Sequence, residues 1–496
     1  MEDRNRGIQA TPTRFLAPDG VGIAQSHCAV VVFIGDRAYK LKKPVDLGFL
    51  DFRTVAAREA ACRRELVLNR RLAPDVYLDL AQVQDGRGRT CDWLVVMRRM
   101  PAARRLSTLV ERGAEVRADL EQLARMLASF HSTARRGPEI DRIGGPTALH
   151  KRWTDNFAGM EPFVGEVIGR DRFDEIVELA LRYLDGCASL LEDRISRRCI
   201  VDGHGDLLAE DIFCLADGPR VLDCLEFDNA LRCVDGLDDA AFLAMDLERL
   251  GRADLAQQFL AWYQEFSGTP APSSLTHHYV AYRAFVRAKV ACLRHAQGVG
   301  GAARTARHLT GIALRHLRAG QIRLVLVGGL PGTGKSTLAG ALADRMGAVL
   351  LRTDQIRREL PGAAGLAIHA GYGRGLYEAA HVHDTYQEML TRSRILLEHG
   401  ESVVLDASWS SADERESARA VAHGTAALAT ELRCVAPLDI TEARIADRTG
   451  DVSDATADIA AQMARHFDQW PEAARIDTSG RAGTALDEAW EALRFE

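Results

Sequence analysis

The stretch "GLPGTGKST", residues 329–337, decides the fold of the C-terminal third of this chain. It satisfies the pattern G-x-x-x-x-G-K-[ST]; the apolar run "IRLVLVG" precedes it and "KSTLAGALADRM" follows at helical spacing. Glycines in such a loop let backbone N–H groups curl around a phosphate, and the N-terminus of the next helix adds partial positive charge. We therefore expect a strand, a phosphate-binding loop (P-loop) and a helix here.

Two side chains of this loop have distinct predicted roles. Lys335 is placed to reach the β and γ phosphates of a nucleotide, which makes it a candidate catalytic residue, and Ser336 offers a hydroxyl to Mg²⁺. The candidate nucleotide-binding residues are Gly329, Gly332, Thr333, Gly334, Lys335, Ser336 and Thr337.

Further strands follow the P-loop helix. The runs "AVLLRTD", "ESVVLDA" and "ELRCVAP" alternate with helical sequence, which predicts an α/β domain with a parallel, doubly wound sheet. Asp406, at the end of "VVLD", is a candidate Mg²⁺ carboxylate. Asp354 ends "AVLLRTD" and should point into the cleft at the sheet edge, where it can accept a proton from a substrate hydroxyl. Asp354 is equally suited to be the N-cap of the helix "QIRREL".

Two arginines lie farther along, in "ITEARIADRTG". Arg444 and Arg448 are four residues apart, on one helix face. They are candidate lid residues that close over the phosphates, and a solvent-exposed helix face explains them equally well.

Residues 319–496 resemble the P-loop small-metabolite kinases, the group with gluconate kinase-like and zeta-toxin-like members. The segments "GLPGTGKST", "LRTD", "VVLDA" and "DVSDATAD" carry this resemblance. It implies ATP and Mg²⁺ as cofactors and a hydroxylated acceptor, and it does not identify that acceptor.

The segment "VDGHGDLLAEDIF", residues 201–213, resembles the catalytic loop of a phosphotransferase with one ligand changed. Asp206 can orient an acceptor hydroxyl and take its proton late in the reaction. Asp211 and Asp223 can hold Mg²⁺ against the phosphates, because hard oxygen ligands suit this ion. The short strands "IFCLA" and "RVLDCLEF" are expected to form a hairpin that brings Asp211 and Asp223 together.

Lysine is scarce in this chain: only six of its 63 basic residues are Lys. Lys40 and Lys42 share one strand face in the predicted hairpin "AVVVFIGDRAYKLKK", by period-two alternation. One of them can pair with the α and β phosphates, and Glu65 on the next helix can fix that lysine as an ion pair. A solvated strand face is the alternative interpretation.

Residues 1–318 resemble aminoglycoside phosphotransferase-like kinases, on the segments "VYLDL", "HGDL", "LDCLEFDN" and "DGLDDAAFLAMDLERLG". The resemblance implies an α+β, two-lobed, protein-kinase-like fold, with a small lobe over about 1–100 and a large lobe over about 101–318. It implies Asp206 as the base, Asp223 as a metal ligand and Asp239 as a structural acid. The family pattern HGDLHxxN is altered, since Leu208 and Asp211 replace its His and Asn.

The whole layout resembles a bacterial family that fuses such a domain, here 1–318, to a P-loop kinase domain, here 319–496. We expect an ATP-dependent kinase that acts on small hydroxylated metabolites or antibiotics. The alternative is that only the P-loop domain is a kinase and residues 1–318 sense a ligand or present a substrate.

Composition narrows the partners. The net charge of -6 gives no electrostatic footprint for nucleic acid. No run of 18 apolar residues suits a membrane span, and the first residues lack the apolar core of a signal peptide. Ten scattered cysteines without ligand spacing indicate reduced thiols. We expect a cytoplasmic protein with a small-molecule substrate, and the sequence leaves its oligomeric state open.

Overall fold

A computed structural model of the protein describes residues 13–16, 22–25, 28–46, 51–360, 378–446 and 457–493. The chain forms two compact units. The N-terminal unit comprises Met1–Leu181, Leu191–Ala271 and Leu275–Gly320, and the C-terminal unit comprises Arg182–Leu190, Pro272–Ser274 and Gln321–Glu496. None of the helices in the described ranges is both long and apolar enough to cross a membrane.

The N-terminal unit begins with an antiparallel sheet in the order β1-β2-β3-β4-β6-β5. Its strands are β1 (Thr13–Leu16), β2 (Gly22–Gln25), β3 (Ala29–Ile34), β4 (Arg37–Lys42), β5 (Tyr77–Gln84) and β6 (Thr90–Arg98). Helix α1 (Val55–Asn69) packs on this sheet through buried Cys62 and Leu66, which belong to the same hydrophobic cluster as Val95 and Met97. Sheet and helix together form the small lobe.

The rest of the N-terminal unit is mainly helical. Its helices are α2 (Leu106–Glu111), α3 (Arg117–Thr133), α4 (Pro138–Gly144), α5 (Pro146–Met160), α6 (Arg170–Gly186), α7 (Ala188–Ser196), α8 (Gly236–Arg249), α9 (Ala253–Ser267), α10 (Ser273–Ala296) and α11 (Ala302–Ala319). Three of these helices, α6, α7 and α10, also have residues in the C-terminal unit. Two antiparallel strand pairs lie between α7 and α8: β7 (Ile200–Asp202) with β10 (Cys233–Asp235), and β8 (Ile212–Leu215) with β9 (Gly218–Val221). The expected two-lobed, kinase-like fold is confirmed.

The C-terminal unit contains a five-stranded sheet in the order β12-β13-β11-β14-β15, with every neighbouring pair parallel. The strands are β11 (Arg323–Gly328), β12 (Val349–Arg352), β13 (Val403–Asp406), β14 (Leu428–Val435) and β15 (Ala474–Asp477). The described helices are α12 (Lys335–Met346), α13 (Thr353–Glu359), α14 (Ala379–Glu398), α15 (Ala412–Gly424), α16 (Leu438–Ala446), α17 (Ala457–Arg465) and α18 (Ala482–Ala492). The expected parallel α/β fold is confirmed, and β11 delivers the P-loop from the centre of the sheet.

Two predicted element ends are wrong. The strand in "RVLDCLEF" ends at Val221, so Asp223 lies beyond the hairpin. The strand in "AVLLRTD" ends at Arg352, and α13 begins at Thr353. Asp354 is therefore inside the first turn of α13, and the N-cap position belongs to Arg352.

Candidate active sites

A network of two lysines and three carboxylates links the small lobe to the loop after β9. On β4, Lys40 contacts Glu65 Oε1 at 2.7 Å and Asp223 Oδ1 at 2.6 Å. Lys42 contacts Glu65 Oε2 and Glu226 Oε1, both at 2.6 Å. Glu65 on α1 therefore holds both lysines, one with each oxygen. The sequence indicated one lysine–Glu65 pair, and the structure contains two.

Burial separates the two lysines. The side chain of Lys42 is completely buried, whereas 13% of the Lys40 side chain is exposed. Burial alone would lower both pKa values, but the surrounding carboxylates, led by Asp223 for Lys40 and Glu226 for Lys42, raise both above the usual range. Both ammonium groups are thus charged, and Lys40 is the one that a nucleotide phosphate can reach.

The backbone at Asp223 is strained. Its φ is +64°, in the left-handed region that non-glycine residues seldom adopt. Two small-lobe side chains hold this conformation: the N–H of Asp223 donates to the Tyr77 hydroxyl at 3.1 Å, and the N–H of Cys224 donates to Asn69 Oδ1 at 2.8 Å. A residue kept in a sparsely populated conformation by such contacts suggests a functional position.

The hairpin brings Asp211 and Asp223 to one end. The N–H of Leu222 donates to the carbonyl of Asp211 at 3.0 Å, so the two aspartates flank the base of the β8–β9 hairpin. Burial, followed by the charges of Asp223 and Glu210, raises the pKa of Asp211 well above its usual range. This local excess of negative charge is what a bound cation would relieve.

Asp206 lies in the loop between β7 and β8. Burial raises its pKa to about 6, against the opposing effect of Arg287 on α10. The closest approach of these two side chains is 3.8 Å, from Arg287 Nη1 to Asp206 Oδ1. A carboxylate with a pKa close to neutrality suits the part of a general base.

Asp239 fixes the backbone of this loop. On α8, its carboxylate accepts hydrogen bonds from the N–H groups of His204 at 2.6 Å and Gly205 at 2.8 Å, and from His131 Nε2 at 3.1 Å. Burial would raise the pKa of Asp239, but the hydrogen bond and charge of His131 lower it well below the usual range. This placement matches the structural role that the family resemblance implies.

His204 is a neutral part of the same scaffold. Burial lowers its pKa to about 4. Its Nε2 donates to the carbonyl of Leu222 at 3.1 Å, and its Nδ1 accepts from the N–H of Asp206 at 3.3 Å. The ring thus connects the loop that carries the candidate base to the loop that carries Asp223.

In the C-terminal unit, the P-loop connects β11 to α12. Gly329, Gly332 and Gly334 all have positive φ values, of 142°, 84° and 79°. A Cβ on Gly329 would lie 2.7 Å from the carbonyl oxygen of Cys434, and one on Gly332 would lie 2.6 Å from that of Thr441. Both positions therefore require glycine, for conformation and for space. Lys335 and Ser336 begin α12, and Thr337 follows them in its first turn.

Asp406 lies beside the start of α12. Burial raises its pKa, while the charge of Lys335 and a hydrogen bond with Ser336 oppose that rise. Its Oδ1 is buried and has no hydrogen-bond partner among the described residues. Asp354 is partly exposed and accepts a hydrogen bond from Arg357 Nη1 at 3.0 Å, one turn later on α13.

Of the two candidate lid arginines, Arg444 contacts the loops of the nucleotide site. Its guanidinium donates to the carbonyl of Gly332 at 3.4 Å and to that of Thr478 at 2.8 Å. Arg448 lies outside the described residues, as do residues 451–456 of the segment "DVSDATAD", whose last two residues begin α17.

The donor sets fit Mg²⁺ held jointly with phosphate. No cluster of three or more His, Cys, Asp or Glu side chains suited to a metal occurs in the described part of the chain. Mg²⁺ bound with a nucleotide, however, needs only one or two protein carboxylates, because phosphate and water supply the other oxygens. The unpartnered oxygen of Asp406 and the adjacent Asp211 and Asp223 meet that requirement.

Several residues of the N-terminal site were not singled out from the sequence. Glu226, three residues beyond Asp223, is the partner of Lys42, and Asn69, one turn after Glu65, supports the strained loop. Arg287 lies beside Asp206 from 81 positions away. Glu226 lies within the segment "LDCLEFDN" and could have been recognised there as a candidate. No sequence pattern around Arg287 indicates that it lies near Asp206.

Comparison with known proteins adds the family. Residues 324–470 match the model of the AAA_33 family, described as "AAA domain". The uncharacterized protein Rv2004c of Mycobacterium tuberculosis (strain ATCC 25618 / H37Rv) is 45% identical over 476 residues, which are 96% of this chain and 95% of that protein.

Two solved structures are each similar to a part of this chain. A gluconokinase from Sinorhizobium meliloti 1021 is 16% identical with a TM-score of 0.27, over 35% of this chain and 91% of its own. The GDP complex of aminoglycoside 2'-phosphotransferase-IIIa is 15% identical with a TM-score of 0.38, over 63% of this chain and 94% of its own.

The near full-length match to the mycobacterial protein establishes the family of this chain. The chain belongs to the same family as Rv2004c, and it joins an α+β, two-lobed unit to a parallel α/β unit that contains a P-loop.

Proposed function

We propose that this protein is a cytoplasmic, ATP-dependent phosphotransferase with two nucleotide sites, each acting on a small hydroxylated acceptor. The observation that carries the proposal is the Lys40–Glu65–Asp223 arrangement in a chain that also contains a P-loop. The Lys40–Glu65–Asp223 arrangement places a phosphate-binding cation next to a metal-binding carboxylate. The P-loop is a separate phosphate-binding site. Ten cysteines without a disulfide agree with a reducing compartment.

In the N-terminal half, Lys40 binds phosphate oxygens of ATP, and Glu65 orients Lys40. Asp206 holds the acceptor hydroxyl in line with the γ-phosphorus. The acceptor oxygen forms its bond to phosphorus as the bond to the ADP oxygen breaks, and the acceptor proton passes to the Asp206 carboxylate. Bound Mg²⁺, held by Asp211 and Asp223, would neutralise phosphate charge.

In the C-terminal half, the P-loop N–H groups and Lys335 bind the β and γ phosphates. Ser336 and Asp406 would hold Mg²⁺, which supplies the same neutralisation there. Asp354 receives the acceptor proton, and Arg357 keeps its carboxylate oriented. Arg444 supports the loop through the Gly332 carbonyl.

A transfer screen tests this proposal. ATP labelled in its γ-phosphate is offered with sugars, amino sugars, hydroxy acids and nucleosides to the parent, Asp206→Asn, Lys335→Ala and the double variant. Each single variant should lose its own acceptors by about 100-fold or more, and the double variant should transfer to none. Asp36→Asn and Lys151→Ala are matched controls, because these side chains are 83% and 72% exposed.

The N-terminal half as a mere binding module is favoured by one observation, the extra carboxylate of Asp211 in place of an amide. The same screen separates the two functions. If Lys335→Ala loses every acceptor and Asp206→Asn loses none, Asp206 is not a base and the N-terminal half is no kinase.

A further inference from the structure

Arg287, a half-buried residue, differs from the buried arginines of the N-terminal unit in its contacts. Arg194, Arg232 and Arg283 each donate hydrogen bonds at 2.7–2.9 Å to a buried aspartate. The side chain of Arg287 is only 20% exposed, yet it makes no hydrogen bond within the described residues and reaches Asp206 only at 3.8 Å. Five guanidinium donors beside the candidate base are therefore available.

Different cations stabilise the charges of the metal-binding carboxylates and of the candidate base. Against the effect of burial, Lys40 and Lys42 lower the pKa of Asp223, and Arg105 lowers that of Asp211. These two aspartates are the ones assigned to the metal and nucleotide. Against the same effect, the charge of Arg287 lowers the pKa of Asp206, the carboxylate assigned to the acceptor. Arg283, one helical turn earlier on α10, is fully engaged by Asp238 at 2.7 and 2.8 Å and cannot share this task.

The Arg287 nitrogens are not among the fully buried polar atoms that lack a partner in the described residues, so water or a ligand can accept their hydrogen bonds. A planar oxyanion does so best, because carboxylate and phosphate accept two parallel N–H bonds from arginine. An acceptor hydroxyl within hydrogen-bond reach of Asp206 would place a substituent on the same or the next carbon close to Arg287. An ammonium group at that position would be repelled.

We propose that the N-terminal site phosphorylates an anionic acceptor, a hydroxylated molecule whose carboxylate or phosphate group is bound by Arg287 next to the hydroxyl held by Asp206. The inference rests on the proposed phosphotransferase function and narrows its acceptor class. Arg287 is then the specificity-determining residue, and amino sugars such as aminoglycosides are disfavoured.

Four probes with one carbon skeleton test the proposal on the full chain carrying Lys335→Ala: gluconate, glucose 6-phosphate, glucose and glucosamine. ATP-dependent transfer should favour an anionic probe over glucose, with glucosamine last. Gluconate against glucose 6-phosphate tells carboxylate from phosphate recognition. Arg287→Gln should raise KM for the preferred anion about 10- to 100-fold, the value of a charge-assisted hydrogen-bond pair, and leave KM for ATP unchanged.

Two further variants control the result. Arg287→Lys should recover part of the anion preference, because it restores charge without the fork. Arg304→Gln removes the same charge from an exposed position on α11 and should change nothing. A role of Arg287 in merely neutralising the acidic loop would lower kcat equally for all four probes, and a role at the γ-phosphate would raise KM for ATP; either result overturns the proposal.

Equilibrium binding gives a second readout that needs no turnover. Calorimetry with the same probes, in the presence of a non-hydrolysable ATP analogue and Mg²⁺, should show anion binding that Arg287→Gln weakens about 10- to 100-fold. Equal binding of charged and neutral probes, or no binding of either anion, would overturn the inference. Anion binding without any transfer would instead remove the kinase function, and efficient transfer to glucosamine would remove the anionic acceptor while leaving the kinase.

Discussion

Replacing Lys42 should cost more stability than replacing Lys40, whereas replacing Lys40 should cost more nucleotide affinity. The Lys42 side chain is completely buried between Glu65 and Glu226, at 2.6 Å from each. Lys42→Met leaves Glu226 without its cation and Glu65 with only Lys40. Removing one partner of a buried ion pair typically costs about 3–5 kcal/mol, a large share of the roughly 5–15 kcal/mol that stabilises a typical protein.

Lys40→Met should cost less stability and more ATP affinity than Lys42→Met. The side chain of Lys40 is 13% exposed, and its partner Asp223 is 27% exposed, so water can solvate part of the charge left behind. We expect a loss of about 1–3 kcal/mol in stability, with ATP affinity at the N-terminal site reduced about 10- to 100-fold. Lys42→Met should change that affinity by less than about threefold if the fold persists, because Glu65 keeps its contact with Lys40.

Urea unfolding and calorimetric titration with Mg·ATP measure the two quantities on the same samples. The background is Lys335→Ala, so that only the N-terminal site is titrated. Lys151→Met is the control, since this exposed i,i+4 pair with Asp155 should contribute less than about 1 kcal/mol. The reasoning is refuted if Lys42→Met is no less stable than Lys151→Met, or if Lys40→Met binds Mg·ATP as its background does.

Three further outcomes follow from the site geometry. Because the pKa of Asp206 is raised to about 6 and the base must be ionised, transfer by the N-terminal half should fall about tenfold per pH unit below 6; a flat profile down to about pH 5 contradicts this. Asp211→Asn should weaken Mg²⁺ binding yet keep or raise transfer at saturating Mg²⁺, as measured by Mg²⁺ titration of initial rates. Arg444→Ala should raise KM for ATP at the P-loop site about tenfold, because the carbonyls of Gly332 and Thr478 lose their donor; an unchanged KM would show that the arginine is not needed there.

The sequence was most informative where function requires residues in a fixed local register. The P-loop could be placed residue by residue, because its glycines, Lys335 and Ser336 act within one strand–loop–helix unit. Lys40 and Lys42 could be placed on one face because strand alternation is rigid. Their scarcity in an Arg-rich chain marked them for attention.

What sequence reasoning could not settle depends on distant contacts. Period-two alternation cannot say which lysine is buried, since that is decided by Glu226, 184 positions away. The end of β9 at Val221 is set by contacts of the next loop with Tyr77 and Asn69 on the small lobe. For the same reason, Arg287 could not be predicted as a site residue, because only the packing of α10 against the Asp206 loop brings it close to that carboxylate.

The central claim, two separate nucleotide sites on one chain, is tested most directly by counting bound Mg·ATP analogue in equilibrium dialysis. The parent should bind two equivalents. Lys335→Ala and Lys40→Met should each bind one, and the combined variant none. A parent that binds one equivalent, lost entirely in Lys335→Ala and unaffected in Lys40→Met, would contradict the account and leave the P-loop as the protein's single nucleotide site.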